Sequence, residues 1–220
     1  MKIGLIGVGL NTYWGQFDGL LERLMGYQKR IKDKILSSNQ DVEVVDAGMI
    51  DNTDKSHEAV LLLKKEDVEL LFIFVSTYAL SSTLIPLVNS LKIPIILLNL
   101  SPSPFVDYNL INSMNDRGKM TGEWLANCQA CSIPEFASVF NRSKTRYDII
   151  SGYLDDNEAW KEINEWIIAA KVASGMRKNR MGVLGNYYGG MVDVYSDLTL
   201  HSTVFGTHIE VLEMCELVEI

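Results

Sequence analysis

Cysteine, histidine and proline are scarce in this 220-residue chain, with three, three and five residues respectively. Cys128 and Cys131 form a C-x-x-C pair, which suits either redox chemistry or half of a zinc site. No second pair or nearby histidine completes a tetrahedral set, and Cys215 lies far away in an apolar stretch. No segment reaches the roughly 18 apolar residues that a membrane span requires. Met1-Lys2-Ile3 leads directly into a strand pattern, without the apolar region of a signal peptide. Basic residues are also in deficit: 20 Lys and Arg stand against 28 Asp and Glu, for a net charge of −8. That balance argues against nucleic acid or an anionic membrane as partner, so a cytoplasmic protein is expected. No Ser-His-Asp order and no G-x-S-x-G elbow is present.

What is present is a regular alternation. Hydrophobic residues make up 47% of the chain, enough for a sizeable core. Nearly continuous apolar runs predict strands at 2–7, 42–47, 69–76, 93–99, 146–151, 180–185 and 207–214. Helical patterns fall at 16–37, 54–65, 80–91, 116–127, 133–143 and 155–174. In the last of these, Asp155 and Asp156 suit the N-terminus, and Gly175 is placed to end the helix. Its stripe of Ala159, Ile163, Trp166, Ile167 and Ala170 reads as core rather than as a cofactor box. The pattern predicts an α/β fold: an open, mostly parallel, doubly wound sheet of Rossmann or flavodoxin type, with helices on both faces. Residues after 180 are too few for a core of their own, so they either pad this domain or start a second α/β domain.

In such sheets ligands bind beyond the C-terminal strand ends. The loops there read Asn11–Gln16, Ser76–Tyr78, Asn99–Pro102, Gly152-Tyr153 and Gly185–Met191. Four of the five carry an aromatic residue and none carries Lys or Arg, so a phosphorylated ligand would lack a cationic clamp. Gly7-Val-Gly9 is only a fragment of a dinucleotide fingerprint: Thr12 stands where the third glycine belongs, and Asp46 is too distant to hold a ribose. Rings with amides and hydroxyls (Asn11, Thr12, Tyr13, Trp14, Gln16) suit a neutral polyhydroxylated ligand instead. His201 and His208 flank Phe205-Gly206 and could approach on a hairpin, with Asp193 and Asp197 the nearest carboxylates, but nothing in the sequence fixes a metal geometry there.

Lys2–Gly7 followed by Asn11-Thr-Tyr-Trp14, then Val75-Ser-Thr-Tyr78, then Gly185-Asn-Tyr-Tyr-Gly-Gly-Met191-Val-Asp193, resembles the N-terminal part of L-arabinose isomerase-like proteins, in the L-fucose/L-arabinose isomerase superfamily. The resemblance spans nearly the whole chain. It implies aldose–ketose interconversion through an enediol, driven by a divalent metal, usually manganese. It also implies a homo-oligomer in which the N-terminal loops of one subunit complete a neighbour's site. Thr12-Tyr13 resembles the family's Leu-Tyr sugar-contact pair, Thr77-Tyr78 its Thr-Phe loop, and Gly190-Met191 its glycine-methionine loop. Cys128-Gln129-Ala-Cys131 resembles its Gln-x-x-His segment, with Cys131 where the histidine would be. The family's metal ligands belong to later domains, so this chain is expected to hold no catalytic residues and no metal. On this resemblance residues 1–175 form the N-terminal domain and 176–220 the opening of a truncated central domain. Tyr13, Tyr78, Gln129 and Met191 are expected to face a pentose-like sugar, with Thr12, Trp14 and Tyr188 as second choices. Their role would be to bind and orient the sugar and exclude water. The alternative is a sugar-binding or regulatory module without chemistry.

Overall fold

Six consecutive residues, Leu70 to Val75, have no solvent exposure at all. Only a strand inside a sheet covered on both faces can bury every side chain in this way. The computed structural model describes residues 1–185 and 187–218, with side chains as far as residue 216. They divide into two compact units, residues 1–167 and residues 168–220.

The first unit is built on a five-stranded sheet of β1 (Lys2–Val8), β2 (Glu43–Ile50), β3 (Leu70–Val75), β4 (Ile95–Ser101) and β5 (Tyr147–Tyr153). The strand order is β2-β1-β3-β4-β5 and every pairing is parallel. This is the doubly wound α/β architecture expected from the alternation of elements. On one face α2 (Thr53–Lys65), α3 (Ile85–Ser90) and α6 (Ile133–Arg142) enclose a core with Ile6, Val8, Leu71, Ile73, Val75 and Leu97. Alternate strand residues point to the opposite face. There α1 (Leu20–Ser38) packs on β1 and β2. The first part of α7 (Asn157–Lys178) is tied to α1 by Asn39–Asn164 at 3.0 Å and by Lys34 over the Trp160 ring.

Several boundaries differ from the sequence-based expectation. β4 and β5 each run two residues further, so Asn99, Ser101, Gly152 and Tyr153 are paired strand residues rather than loop tips. Pro86 cannot donate a backbone hydrogen bond, so the predicted helix 80–91 divides into a 3-10 turn at Ser81–Thr83 and then α3. Helix α4 (Tyr108–Ser113) had no predicted counterpart, while α5 (Arg117–Leu125) matches the core of its predicted helix. Gly175 does not stop α7, which continues to Lys178 with Arg177 and Lys178 in its last turn. Asp156 accepts a hydrogen bond from the Glu158 N–H, as a carboxylate at a helix start should.

In the second unit β6 (Arg180–Leu184) and β7 (His208–Leu212) pair in parallel, with α8 (Leu198–Phe205) between them in sequence. Parallel strands need a crossover, and α8 supplies it, so the hairpin expected to bring His201 and His208 together does not form. His201 packs against Phe205 within α8, with ring centroids 4.8 Å apart and the planes tilted by 52°. The apolar run expected to stay extended to residue 214 ends at Leu212, and Met214–Val218 is a short helix, α9.

Candidate functional site

In the order β2-β1-β3-β4-β5 the chain reverses direction between β1 and β3, which is where a crevice opens at the C-terminal strand ends. The two loops that flank it are Gly9–Gly19, after β1, and Ser76–Leu80, after β3.

The first loop is held by its own aromatic residues. Asn11–Tyr13 form a 3-10 turn, and the Phe17 N–H donates to the Tyr13 carbonyl at 3.0 Å. Tyr13, Trp14 and Phe17 pack against Leu20, Leu24, Met49, Leu125 and Ala126. The Trp14 indole N–H donates to the Asp51 carboxylate at 2.7 Å, and Lys55 donates to the same oxygen at 2.7 Å. Asn52 donates to the other Asp51 oxygen at 2.9 Å. Asp51 is 3% exposed, so its buried charge is matched by three donors. Neither Asp51 nor Lys55 was singled out from the sequence. The only available signal was an acidic residue just past β2, four residues before a lysine on α2.

The glycines are explained by the same packing. A Cβ on Gly9 would lie 2.7 Å from the Trp14 ring, and a Cβ on Gly7 would overlap Gln28 Oε1. Both glycines therefore admit side chains of this protein, in the space that a dinucleotide site keeps open for a pyrophosphate.

The second loop is held from outside itself. Thr77 Oγ1 donates to the Leu125 carbonyl at 2.8 Å. Gln129 Nε2 donates to the carbonyls of Ser76 and Ala126, each at 2.8 Å. Ser132 Oγ accepts from the Ala79 N–H at 2.7 Å and donates to the Ala79 carbonyl at 3.0 Å. Glu135 accepts from the Ser81 N–H at 2.8 Å. Gln129 and Ser132 belong to a 3-10 turn, Gln129–Ser132, bracketed by a disulfide between Cys128 and Cys131.

The expected site residues thus separate into groups. Thr12 is exposed, and Tyr13 and Tyr78 are half-buried. Burial, with a smaller contribution from Tyr78, holds the Tyr13 hydroxyl above its ordinary pKa. Each phenol hydroxyl can both donate and accept a hydrogen bond. Trp14 and Gln129 spend their N–H groups within the protein, Gln129 at 1% exposure, and in this arrangement they support the loops from beneath. Tyr188 and Met191 belong to the second unit, at 76% and 47% exposure, and the neighbouring Asn186 lies outside the described residues.

Among the described residues no three His, Cys, Asp or Glu side chains converge where a metal could sit. These residues do not fit the manganese centre that the resemblance implies for the full-length enzymes. No described helix is long and apolar enough to cross a membrane. The chain matches no protein-family model and no curated protein sequence.

Proposed function

We propose that this chain supplies the sugar-binding loops and subunit contacts of an aldose–ketose isomerase of L-arabinose isomerase-like type, acting in the cytoplasm as a homo-oligomer. The observation that carries the reading is that half-buried Tyr13 and Tyr78 stand on the two loops that flank the switch point, in loops without a single Lys or Arg. Two phenols with the Thr12 hydroxyl beside one of them offer ring faces to sugar C–H groups and hydrogen-bonding partners to sugar hydroxyls. Negative charge on the ligand would find no counterpart in these loops. On this reading Tyr13, Tyr78 and Thr12 bind and orient the carbon chain and keep water from it, while Trp14 and Gln129 hold the loops that carry them. Any manganese, and the proton transfers it assists, belongs to polypeptide outside this sequence. The acidic balance of the chain agrees with a reading that has neither nucleic acid nor membrane as partner.

A second reading has one observation in its favour. Both loops belong to a single unit with its own core, as a sugar-binding module without chemistry would require.

An NMR titration of the 220-residue protein with L-arabinose and other pentoses tests the proposal. Weak binding is expected, with chemical-shift changes confined to residues 11–17 and 76–81, and with no aldose–ketose conversion on adding manganese. Tight binding by the chain alone would favour the module. Shifts elsewhere, conversion by the isolated chain, or thermal stabilisation by NAD would overturn the proposal.

A further inference from the structure

The loop after β3 has little hold of its own. Ser76, Ala79 and Ser81 place their backbone groups against Gln129, Ser132 and Glu135, all supplied by a segment some 50 residues later. Two of those three partners, Gln129 and Ser132, sit on the turn that the Cys128–Cys131 disulfide closes, across a Cα–Cα distance of 5.5 Å. Gln129 is a reluctant member: its Oε1 is buried with no hydrogen-bond partner. Burying an unpaired amide oxygen disfavours the seated position, so the covalent closure of the turn matters to whether Gln129 remains there. The two sulfurs also differ in access. Cys128 is 3% exposed, whereas Cys131 is exposed to solvent.

From this geometry we infer that Cys128 and Cys131 form a reversible redox latch that sets the order of the β3 loop, and with it the readiness of the site proposed above. The inference rests on that reading for its consequence, but its physical content is loop order, whatever the ligand. The co-reactant is a small dithiol. Its thiolate attacks Cys131 Sγ, the bond between the two cysteine sulfurs breaks, and Cys128 leaves as a thiolate and takes up a proton. The second dithiol sulfur then attacks the first, which releases Cys131 as a thiolate that is protonated in turn. The dithiol becomes a cyclic disulfide, and two electrons and two protons have passed to the protein. Oxidised dithiol drives the reverse. In the reduced protein the turn is free to open, Gln129 can rotate its unpaired oxygen towards water, and the Ser76 carbonyl and the Ala79 backbone groups lose the partners that the turn supplies. Disulfides are rare in cytosolic proteins, and those that do form there are usually transient and catalytic or redox-sensing.

Hydrogen exchange followed by mass spectrometry on the whole 220-residue protein tests the latch, comparing protein equilibrated with reduced and with oxidised dithiothreitol. Exchange in the peptide covering residues 76–81 is expected to be about 10-fold faster in the reduced protein. It should return to the slow rate on reoxidation and should not respond to dithiothreitol in Cys128→Ser/Cys131→Ser. Oxidised Gln129→Ala should exchange as fast as the reduced wild type. Equal exchange in both redox states would overturn the latch. So would slow exchange in oxidised Gln129→Ala, or thiol alkylation showing that the pair never closes in oxidised dithiothreitol. None of these readouts uses a sugar, so failure of the latch and failure of the proposed function are separate results.

Discussion

Gly9 shows how one missing side chain can be misattributed. A glycine two residues past Gly7 at the end of a first strand suggests a backbone left bare for a phosphate. In the structure the bare backbone accommodates Trp14, whose indole N–H is anchored on buried Asp51. The glycine, the tryptophan and the aspartate therefore form one packing unit. Gly9→Ala is expected to push the indole away and stretch its bond to Asp51, which should cost about 1–3 kcal/mol as overpacking does. Urea denaturation followed by tryptophan fluorescence measures it, and an unchanged midpoint would show that Trp14 is not constrained by Gly9. Asp51→Ala should cost a similar amount or more, because it strands the Trp14 N–H and the Lys55 ammonium together. Tyr13 and Tyr78 drew notice in the sequence as aromatic residues at strand-end loops, and Tyr13 also packs on the cluster of Leu20, Leu24 and Met49, a role its local sequence does not show. Gln129 was read as a contact from its position in a segment. Its burial depends on a partner 53 residues away, Ser76, which no local pattern reveals.

Strands were the most legible elements because a strand buried on both faces has to be apolar throughout, and Leu70–Val75 is. Short helices were not. Helix α8 reads Leu-Thr-Leu-His-Ser-Thr-Val-Phe, rich in β-branched residues, and is made a helix by the Asp197 cap at one end and left-handed Gly206 at the other. Helix α5 depends on a pairing with no sequence signature. Its Glu123 carboxylate accepts hydrogen bonds from Arg23 of α1 at 2.5 and 2.9 Å, across 100 residues. The Arg23 hydrogen bond holds the Glu123 carboxyl below the usual carboxylate range, outweighing the burial that opposes it. A carboxyl with a lowered folded-state pKa adds stability that is complete above its ordinary value near 4.5 and is lost as pH falls through the lowered one. The pair is partly exposed, so its worth is about 1 kcal/mol or less. Glu123→Gln is therefore expected to lower the melting temperature slightly at pH 7, by an amount that shrinks as the pH falls below the ordinary carboxylate range. A loss that does not change with pH would mean that the carboxylate charge is not what joins α5 to α1.

The two units differ in how well they hide their apolar groups. Among the described residues, 24 large hydrophobic side chains are exposed, and 14 of them lie between Ile168 and Met214, a far shorter stretch than the rest of the chain. They include Val192 at 88%, Tyr188 at 76%, Tyr195 at 68% and Val204 at 64% exposure. A two-stranded parallel sheet is also an unusual thing to leave open, since parallel sheets are ordinarily covered on both faces and isolated pairs of strands are marginal. The sequence alone suggested this imbalance through its short run of elements after residue 180, while the exposure of individual side chains became legible only in three dimensions. Surfaces of this kind drive association when nothing covers them. The purified chain is therefore expected to self-associate with rising concentration in sedimentation velocity, and Val192→Lys/Val204→Lys should move the equilibrium towards monomer. The double substitution removes apolar area from exposed positions only, so the thermal unfolding of the first unit should be unchanged. A chain that stays monomeric at high concentration, or a double variant that associates as readily as wild type, would mean that these side chains do not make the contact.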